Sequence, residues 1–467
     1  MLFPTITFAT FFMVVFVGNW LLMAYPRRWR WFMLAASYFF YGFWNWRFVG
    51  LLMVSTLANQ LFAVGLQRSE SETDRRALIS GAVAVNLGLL GYFKYYGFFV
   101  DSIHSTLRSL GMEGSLPLMQ ITLPVGISFF TFQALSYVID IYRRKLAVAP
   151  TLDFAVYLAF FPQLVAGPIV RGTELLPQFK SPRDPRRIDA SRAFYLITIG
   201  LAKKLVIADF LASSLVDAVF ASPGQYSSVE ILVAVYAYSV QIYADFSAYS
   251  DIAIGLALLL GFRFPDNFNS PYAAVSIRDF WRRWHITLSR WLHDYLYIAL
   301  GGNRGSRVLT QRNLLLTMLL GGLWHGAAWR FVIWGGLHGL WLMWERQRPE
   351  RVLDTPWSLF RARLLTFHLV TFAWIFFRAP SFSKAWDLIW RLLTEWGGGA
   401  DAVTLPILLA IAVGIGAQYV SRADVQWALA RFSRLTPVAQ GGLLALCLLT
   451  IDALANEGVA AFIYFQF

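Results

Sequence analysis

One cysteine in 467 residues, Cys447, excludes an internal disulfide and any metal site built on several thiolates. Charge is scarce as well. Asp, Glu, Lys and Arg make up 14% of the chain, where a soluble domain carries about a quarter. The first 25 residues lack a basic leading region and a small-residue cleavage site, so they read as a first span, not a removable signal. No polar stretch is long enough to be a separate soluble domain. No internal repeat is visible, which weighs against a transporter built from inverted halves.

What fills the chain is apolar. Hydrophobic residues make up 57% and mean hydropathy is +0.53. Aromatics reach 17%, with 19 Trp and 20 Tyr, residue types that anchor at membrane interfaces. The net charge of +13 would suggest nucleic acid in a soluble protein. Here the basic residues are scattered through short loops between apolar runs. Positive-inside topology accounts for them better, with anionic lipid or an anionic cytoplasmic substrate as a second use and no nucleic-acid partner.

The fold class is therefore an all-α integral membrane protein, one polytopic membrane domain over 1–467. Spans are expected at 2–25, 31–47, 48–66, 77–100, 118–142, 193–220, 229–261, 313–345, 364–377, 403–420 and 438–455. The stretch 313–345 is long enough for a helical hairpin, so the count is eleven or twelve. Arg27, Arg28 and Arg30 follow the first span, and Arg143, Arg144 and Lys145 the fifth, whereas the loop at 101–117 holds only Arg108 as a basic residue. This alternation puts the N-terminus outside. Residues 151–170 break the pattern. They are apolar, yet Arg171, Lys180, Arg183, Arg186, Arg187 and Arg192 follow, and Pro162, Gly167 and Pro168 interrupt a helix. The segment is expected to dip in and return to the cytoplasmic side.

The longest polar insertion, 262–312, carries eight arginines and is expected on the cytoplasmic side. Its centre, IRDFWRRWHITLSRWLHDYLY at 277–297, reads as an amphipathic helix lying in the interface or packed under the bundle. At 100° per residue Trp281, Trp284, Leu288, Trp291, Leu292 and Tyr295 share one face. Arg278, Arg282, Ser289 and His293 line its edge, and His285 sits where edge and apolar face meet. The run GGLWHG at 321–326 places His325 at membrane depth, where a histidine is costly and marks a functional site. Its small neighbours Gly321, Gly322 and Gly326 permit close approach of a helix or a substrate chain. A bland reading is also open for each: His285 as surface decoration, His325 as an interhelical hydrogen bond. On a continuous helix His338 would point away from His325, so it reads as structural, and no pattern supports His104 or His368. Asp245 and Asp251 share one apolar run, YADFSAYSD at 243–251; they either line a polar passage or pair with arginines, the structural role being preferred.

Taken together, several motifs make the chain resemble the membrane-bound O-acyltransferase family, in its bacterial alginate O-acetyltransferase branch. They are FKYYGFF at 93–99, LPVGISFFTFQALSYVIDIYR at 123–143, FFPQLVAGPIVR at 160–171 and YADFSAYSDIAIG at 243–255. The others are FNSPY at 268–272 leading into DFWRRWHITLSRWLHDYLY, GGLWHG at 321–326 and the terminal FIYFQF. The resemblance covers nearly the whole chain. It implies transmembrane, re-entrant and interfacial helices around a passage through the bacterial inner membrane. It implies His325 as the principal catalytic residue and His285 as the second. Acetyl-CoA is implied as the donor substrate, with no tightly bound cofactor, and an esterase-like partner outside the cytoplasm passes the acetyl group to a polysaccharide such as alginate, cellulose or peptidoglycan.

Chemistry then assigns roles. His325 is expected as general base, and His285 as the group that positions the thioester or donates to the oxyanion. Arg278, Arg282 and Arg283 are the first candidates for the donor's phosphates, their plain alternative being positive-inside topology. Two other readings stay open: D-alanyl transfer from a carrier protein to teichoic acid, and a polysaccharide channel or exporter without covalent chemistry. Six histidines without ligand-like spacing argue against a metal hydrolase.

Overall fold

A bilayer core offers no water to an unpaired backbone group, so a lipid-embedded chain closes its hydrogen bonds within helices. The computed structural model is built of helices, with no strand among the described residues. It describes residues 1–112, 121–165, 167–181, 183–349, 353–455, 460 and 462–463. The chain divides into two compact units. One comprises Met1–Ile188, Ala257–Phe264 and Gly326–Ala328; the other comprises Asp189–Leu256, Pro265–His325 and Trp329–Phe467.

The first unit holds α1 (Ile6–Leu21), α2 (Pro26–Gly42), α3 (Arg47–Arg68), α4 (Glu72–Ser109), α5 (Ile127–Tyr142) and α6 (Thr151–Ala159). Their starts follow from local chemistry. The Thr5 hydroxyl accepts the Phe8 N–H before α1, Pro26 occupies the first turn of α2, and Ser71 accepts the Asp74 N–H before α4. Buried amides hold α3 to α4, Asn59 and Asn86 exchanging hydrogen bonds of 3.2 and 2.7 Å. The expected dip at 151–170 has a geometric counterpart. A nine-residue helix such as α6 rises only about 14 Å. The Tyr157 hydroxyl then donates to the Val170 carbonyl at 3.0 Å, and a Cβ at Gly172 would stand 3.1 Å from Leu146, which precedes α6. The segment folds back on its own entrance; its residue 166 lies outside the described residues.

The second unit contains α7 (Ala190–Leu201), α8 (Ser228–Leu259, its last turn in the first unit), α9 (Ile277–Arg283) and α10 (Ile286–Trp291). It continues with α11 (Arg307–His325), α12 (Trp329–Gln347), α13 (Pro356–Arg378), α14 (Phe382–Thr394), α15 (Leu405–Tyr419), α16 (Arg422–Ser433) and α17 (Pro437–Leu454). The stretch 313–345 resolves as a hairpin of α11 and α12. By length and composition α3, α4, α8, α13 and α17 can each cross a membrane, and the α15–α16 pair, bent by 93°, adds a sixth candidate. The remaining expected spans are shorter or broken helices, and the start of the one expected at 118–142 lies outside the described residues. Their environments differ sharply: the apolar window of α8 is 89% buried, that of α17 only 6%. Two surface helices, α14 and α16, were not anticipated. On α14 Ala385 and Leu388 point inward, while Trp386 and Trp390 are exposed, as suits a helix in a membrane interface.

Candidate active site

The 277–297 region is not one helix. Ser276 caps α9 by accepting the Asp279 N–H at 3.0 Å, and the Glu345 carboxylate accepts the N–H groups of Ile277 (2.6 Å) and Arg278 (3.0 Å). That anion sits where the helix dipole favours it. The helix stops at Trp284, and His285 takes left-handed dihedrals (φ 42°, ψ 55°) before α10, which runs into a π-helical turn at Leu292–Tyr297. A non-glycine residue in that region costs about 1–2 kcal/mol. All six residues assigned to the apolar face are nevertheless buried, because the break reorients the helix without exposing them.

Asn267 sustains the break. Its backbone carbonyl accepts the Ile286 N–H (2.9 Å), and its Oδ1 accepts both the Thr287 N–H (3.2 Å) and the Thr287 hydroxyl (2.9 Å). Its amide donates to Ser250 Oγ at 3.0 Å. A backbone N–H can only donate, so the atom receiving it is the amide oxygen, which also lies 3.2 Å from His285 Nδ1. His285 Nδ1 therefore carries the hydrogen. Complete burial lowers the His285 pKa to about 3 and keeps the ring neutral at physiological pH. Its Nε2 consequently holds a lone pair. Its one ring hydrogen is committed to Asn267, an arrangement that suits the positioning role expected of His285 better than donation to an oxyanion. Replacing Asn267 with Leu should lower turnover about a hundredfold, the lower end of what a placed acid–base group contributes. Steady-state kinetics on Asn267→Leu, with Asn267→Asp as the variant that keeps the acceptor, checks this.

His325 is buried at the end of α11, among the rings of Trp324 (5.1 Å), Trp334 (5.0 Å) and Phe377 (5.4 Å). The Trp324 ring also lies 6.2 Å from that of His285. The structure thus brings the two histidines to one aromatic cluster with a single indole between them. The α11–α12 hairpin closes through glycine. A Cβ at Gly322 would stand 2.2 Å from the Phe331 carbonyl oxygen, and one at Gly335 would meet the Met318 carbonyl at the same distance.

His338 does not point away from this cluster. The chain breaks after His325, and α12 returns His338 to within 4.9 Å of Trp334, the indole that packs on His325. There its Nδ1 accepts the Trp281 Nε1 hydrogen at 3.3 Å.

The three arginines separate. Arg278 and Arg282 are exposed on α9, whereas Arg283 is held by Asp279 at 2.9 Å. The partners of the intramembrane carboxylates are lysines, not arginines. Lys203 pairs with Asp251 and donates to Ser247 Oγ at 2.9 Å, and Lys204 contacts Asp209 and Asp245 at 2.7 Å each. Neither lysine nor Asn267 was singled out from the sequence. Two adjacent lysines in an apolar run, costly at membrane depth, were the signal for the first pair; Asn267 had none beyond its place before the FNSPY motif.

Residues 123–383 match the family described as MBOAT, membrane-bound O-acyltransferase family. A probable alginate O-acetylase of Pseudomonas aeruginosa is 44% identical over 83% of this chain and 74% of its own length. A peptidoglycan O-acetyltransferase of Helicobacter pylori is 38% identical, covering 82% and 77%. A teichoic acid D-alanyltransferase of Streptococcus thermophilus is 26% identical, covering 54% and 68%.

Proposed function

The chain belongs to the membrane-bound O-acyltransferase family and is an acyltransferase, and we propose from this that it carries acetyl from cytoplasmic acetyl-CoA toward a polysaccharide hydroxyl beyond the bacterial inner membrane. The observation that carries the proposal is the pair of buried histidines at one indole, one of them locked as a neutral acceptor. The two relatives named as O-acetyltransferases are more similar, over more of the chain, than the D-alanyltransferase, which supports acetyl over D-alanyl. An acyltransferase leaves no place for the pure exporter reading.

The chemistry needs a base and a dry site. The acceptor oxygen attacks the thioester carbonyl carbon as its proton passes to the His325 ring. The tetrahedral intermediate then expels the CoA sulfur, which takes that proton back. His285, able only to accept through Nε2, positions the donor by receiving a hydrogen bond from an amide N–H of the CoA arm and leaves the hydroxyl proton to His325. The aromatic wall of Trp324, Trp334 and Phe377 excludes water that would otherwise hydrolyse the thioester. An esterase-like partner outside the cytoplasm receives the acetyl group or presents the polymer, alginate and peptidoglycan being the acceptors that the relatives' names support.

The exposed guanidinium groups of Arg278 and Arg282 suit the phosphates of the donor, and Arg283 would have to leave Asp279 to join them. The double variant Arg278→Ala, Arg282→Ala should raise the apparent KM for acetyl-CoA about tenfold with kcat nearly kept, two exposed charge-assisted contacts each contributing under about 1 kcal/mol. Sidedness is tested in oriented proteoliposomes with acetyl-CoA on one face and partner and polymer on the other. Acetylation only when acetyl-CoA meets the 262–312 face supports the proposal; transfer only from the opposite face overturns it.

A further inference from the structure

Lys204 is buried, and its ammonium stands 2.7 Å from the carboxylates of both Asp209 and Asp245. The π-helical turn Ala202–Ala208 sets residues five apart one above the other, which aligns Lys204 with Asp209. Asp245 reaches the same ammonium from the middle of α8. Two carboxylates against one ammonium leave a net negative charge away from water, tolerable only with additional hydrogen-bond donors. Those donors come from the other end of the sequence. The Ile463 N–H donates to Asp245 Oδ2 at 2.8 Å, and the Ala460 N–H to Asp209.

Between these two anchors lies Phe462, fully buried, its ring 4.2 Å from that of Tyr249 and 5.7 Å from that of Phe246. Phe246 in turn meets the His285 ring edge-on, 4.6 Å away at 90°. A line of contacts thus runs from the charged triad, through the C-terminal backbone and two phenyl rings, to the imidazole of the candidate site. We propose that Lys204, Asp209 and Asp245 are a docking site for this chain's own Ala460, Phe462 and Ile463, and that these docked residues position His285 through Phe462 and Phe246. The lysine makes two buried carboxylates affordable, and the carboxylates give these residues a binding site of fixed register. These are positioning residues; none of them touches the reacting atoms.

The docking half is tested without any acyl donor. In a Cys447→Ser background, Ile463→Cys places one thiol at a buried position and keeps the backbone N–H. In detergent-solubilised protein a water-soluble maleimide should label it slowly. Asp245→Ala leaves Lys204 and Asp209 as a balanced pair and should accelerate labelling about tenfold, the population shift expected when one charge-assisted hydrogen bond is lost. Asp209→Asn provides a second variant on a different element with the same expected direction. Equal labelling rates in folded, monodisperse variants would overturn the docking site. The positioning half rests on the acyl-transfer reading. Phe462→Ala should lower kcat about tenfold with KM for the donor unchanged, and Phe462→Tyr should restore it. An unchanged kcat in Phe462→Ala would overturn positioning, while the labelling result would still stand, so the two failures are distinguishable.

Discussion

Replacing His325 with Ala should leave a folded protein whose kcat is at least about a hundredfold below wild type, with KM for the acyl donor little changed. General-base catalysis contributes about 10²–10⁴-fold, and a base that acts only as the hydroxyl loses its proton raises kcat without tightening the ground-state complex. The fold should survive because His325 lies at the very end of α11, where its ring packs among Trp324, Trp334 and Phe377 and ends the helix without being needed inside it. Monodisperse elution together with lost turnover is the expected pair of results. Near-normal turnover would remove His325 from the chemistry.

The second large effect concerns the hairpin that carries that histidine. Gly322→Val should abolish the folded, monodisperse species. A Cβ at residue 322 would stand 2.2 Å from the Phe331 carbonyl oxygen and 3.2 Å from Gly335 Cα, so backbone would have to move in both α11 and α12. Overpacking of this kind costs about 3 kcal/mol or more, a large share of ordinary stability. Gly336 provides the control, because a Cβ there meets only the Leu319 side chain at 3.5 Å. Thermal unfolding of the solubilised protein should show Gly336→Ala near wild type and Gly322→Val without a cooperative transition.

The spans were legible where hydropathy alone decides. Helix cores near 48–66, 229–261 and 438–455 stand as α3, α8 and α17, shifted by a residue or two at their ends. Hydropathy does not say what an apolar helix faces, and so the difference between α8, buried in protein, and the exposed α17 was not readable. Helical periodicity marked six side chains of 277–297 that are buried, but it missed Phe280 and Thr287 and left His285 at the edge, and all three are buried as well. It failed on the backbone, because the break at His285 is stabilised by Asn267, eighteen residues earlier in sequence, and no local pattern encodes that. The same limit applies to His338. Its direction was inferred for a continuous helix, and the turn after His325 removes the premise.

The candidate site was legible in its histidines and opaque in what holds them. His325 stood out by the cost of a histidine among apolar residues, His285 through the family's motif, and the fold brings both to Trp324. Asn267, which dictates the His285 tautomer, carries no charge and sits in an ordinary polar stretch. The partners of Asp245 were expected to be arginines. A lysine supplies the pairing instead, from a π-helical turn that no propensity argument predicts.

The most direct test of the central claim is acetyl-CoA consumption by the purified protein in nanodiscs. Wild type and His325→Ala would be compared with [¹⁴C]acetyl-CoA in the presence of a periplasmic partner and a polysaccharide acceptor. Wild type alone should release CoA and transfer label to the partner or polymer. Failure of folded wild type to consume acetyl-CoA under these conditions, with turnover of a D-alanyl carrier instead, would contradict it.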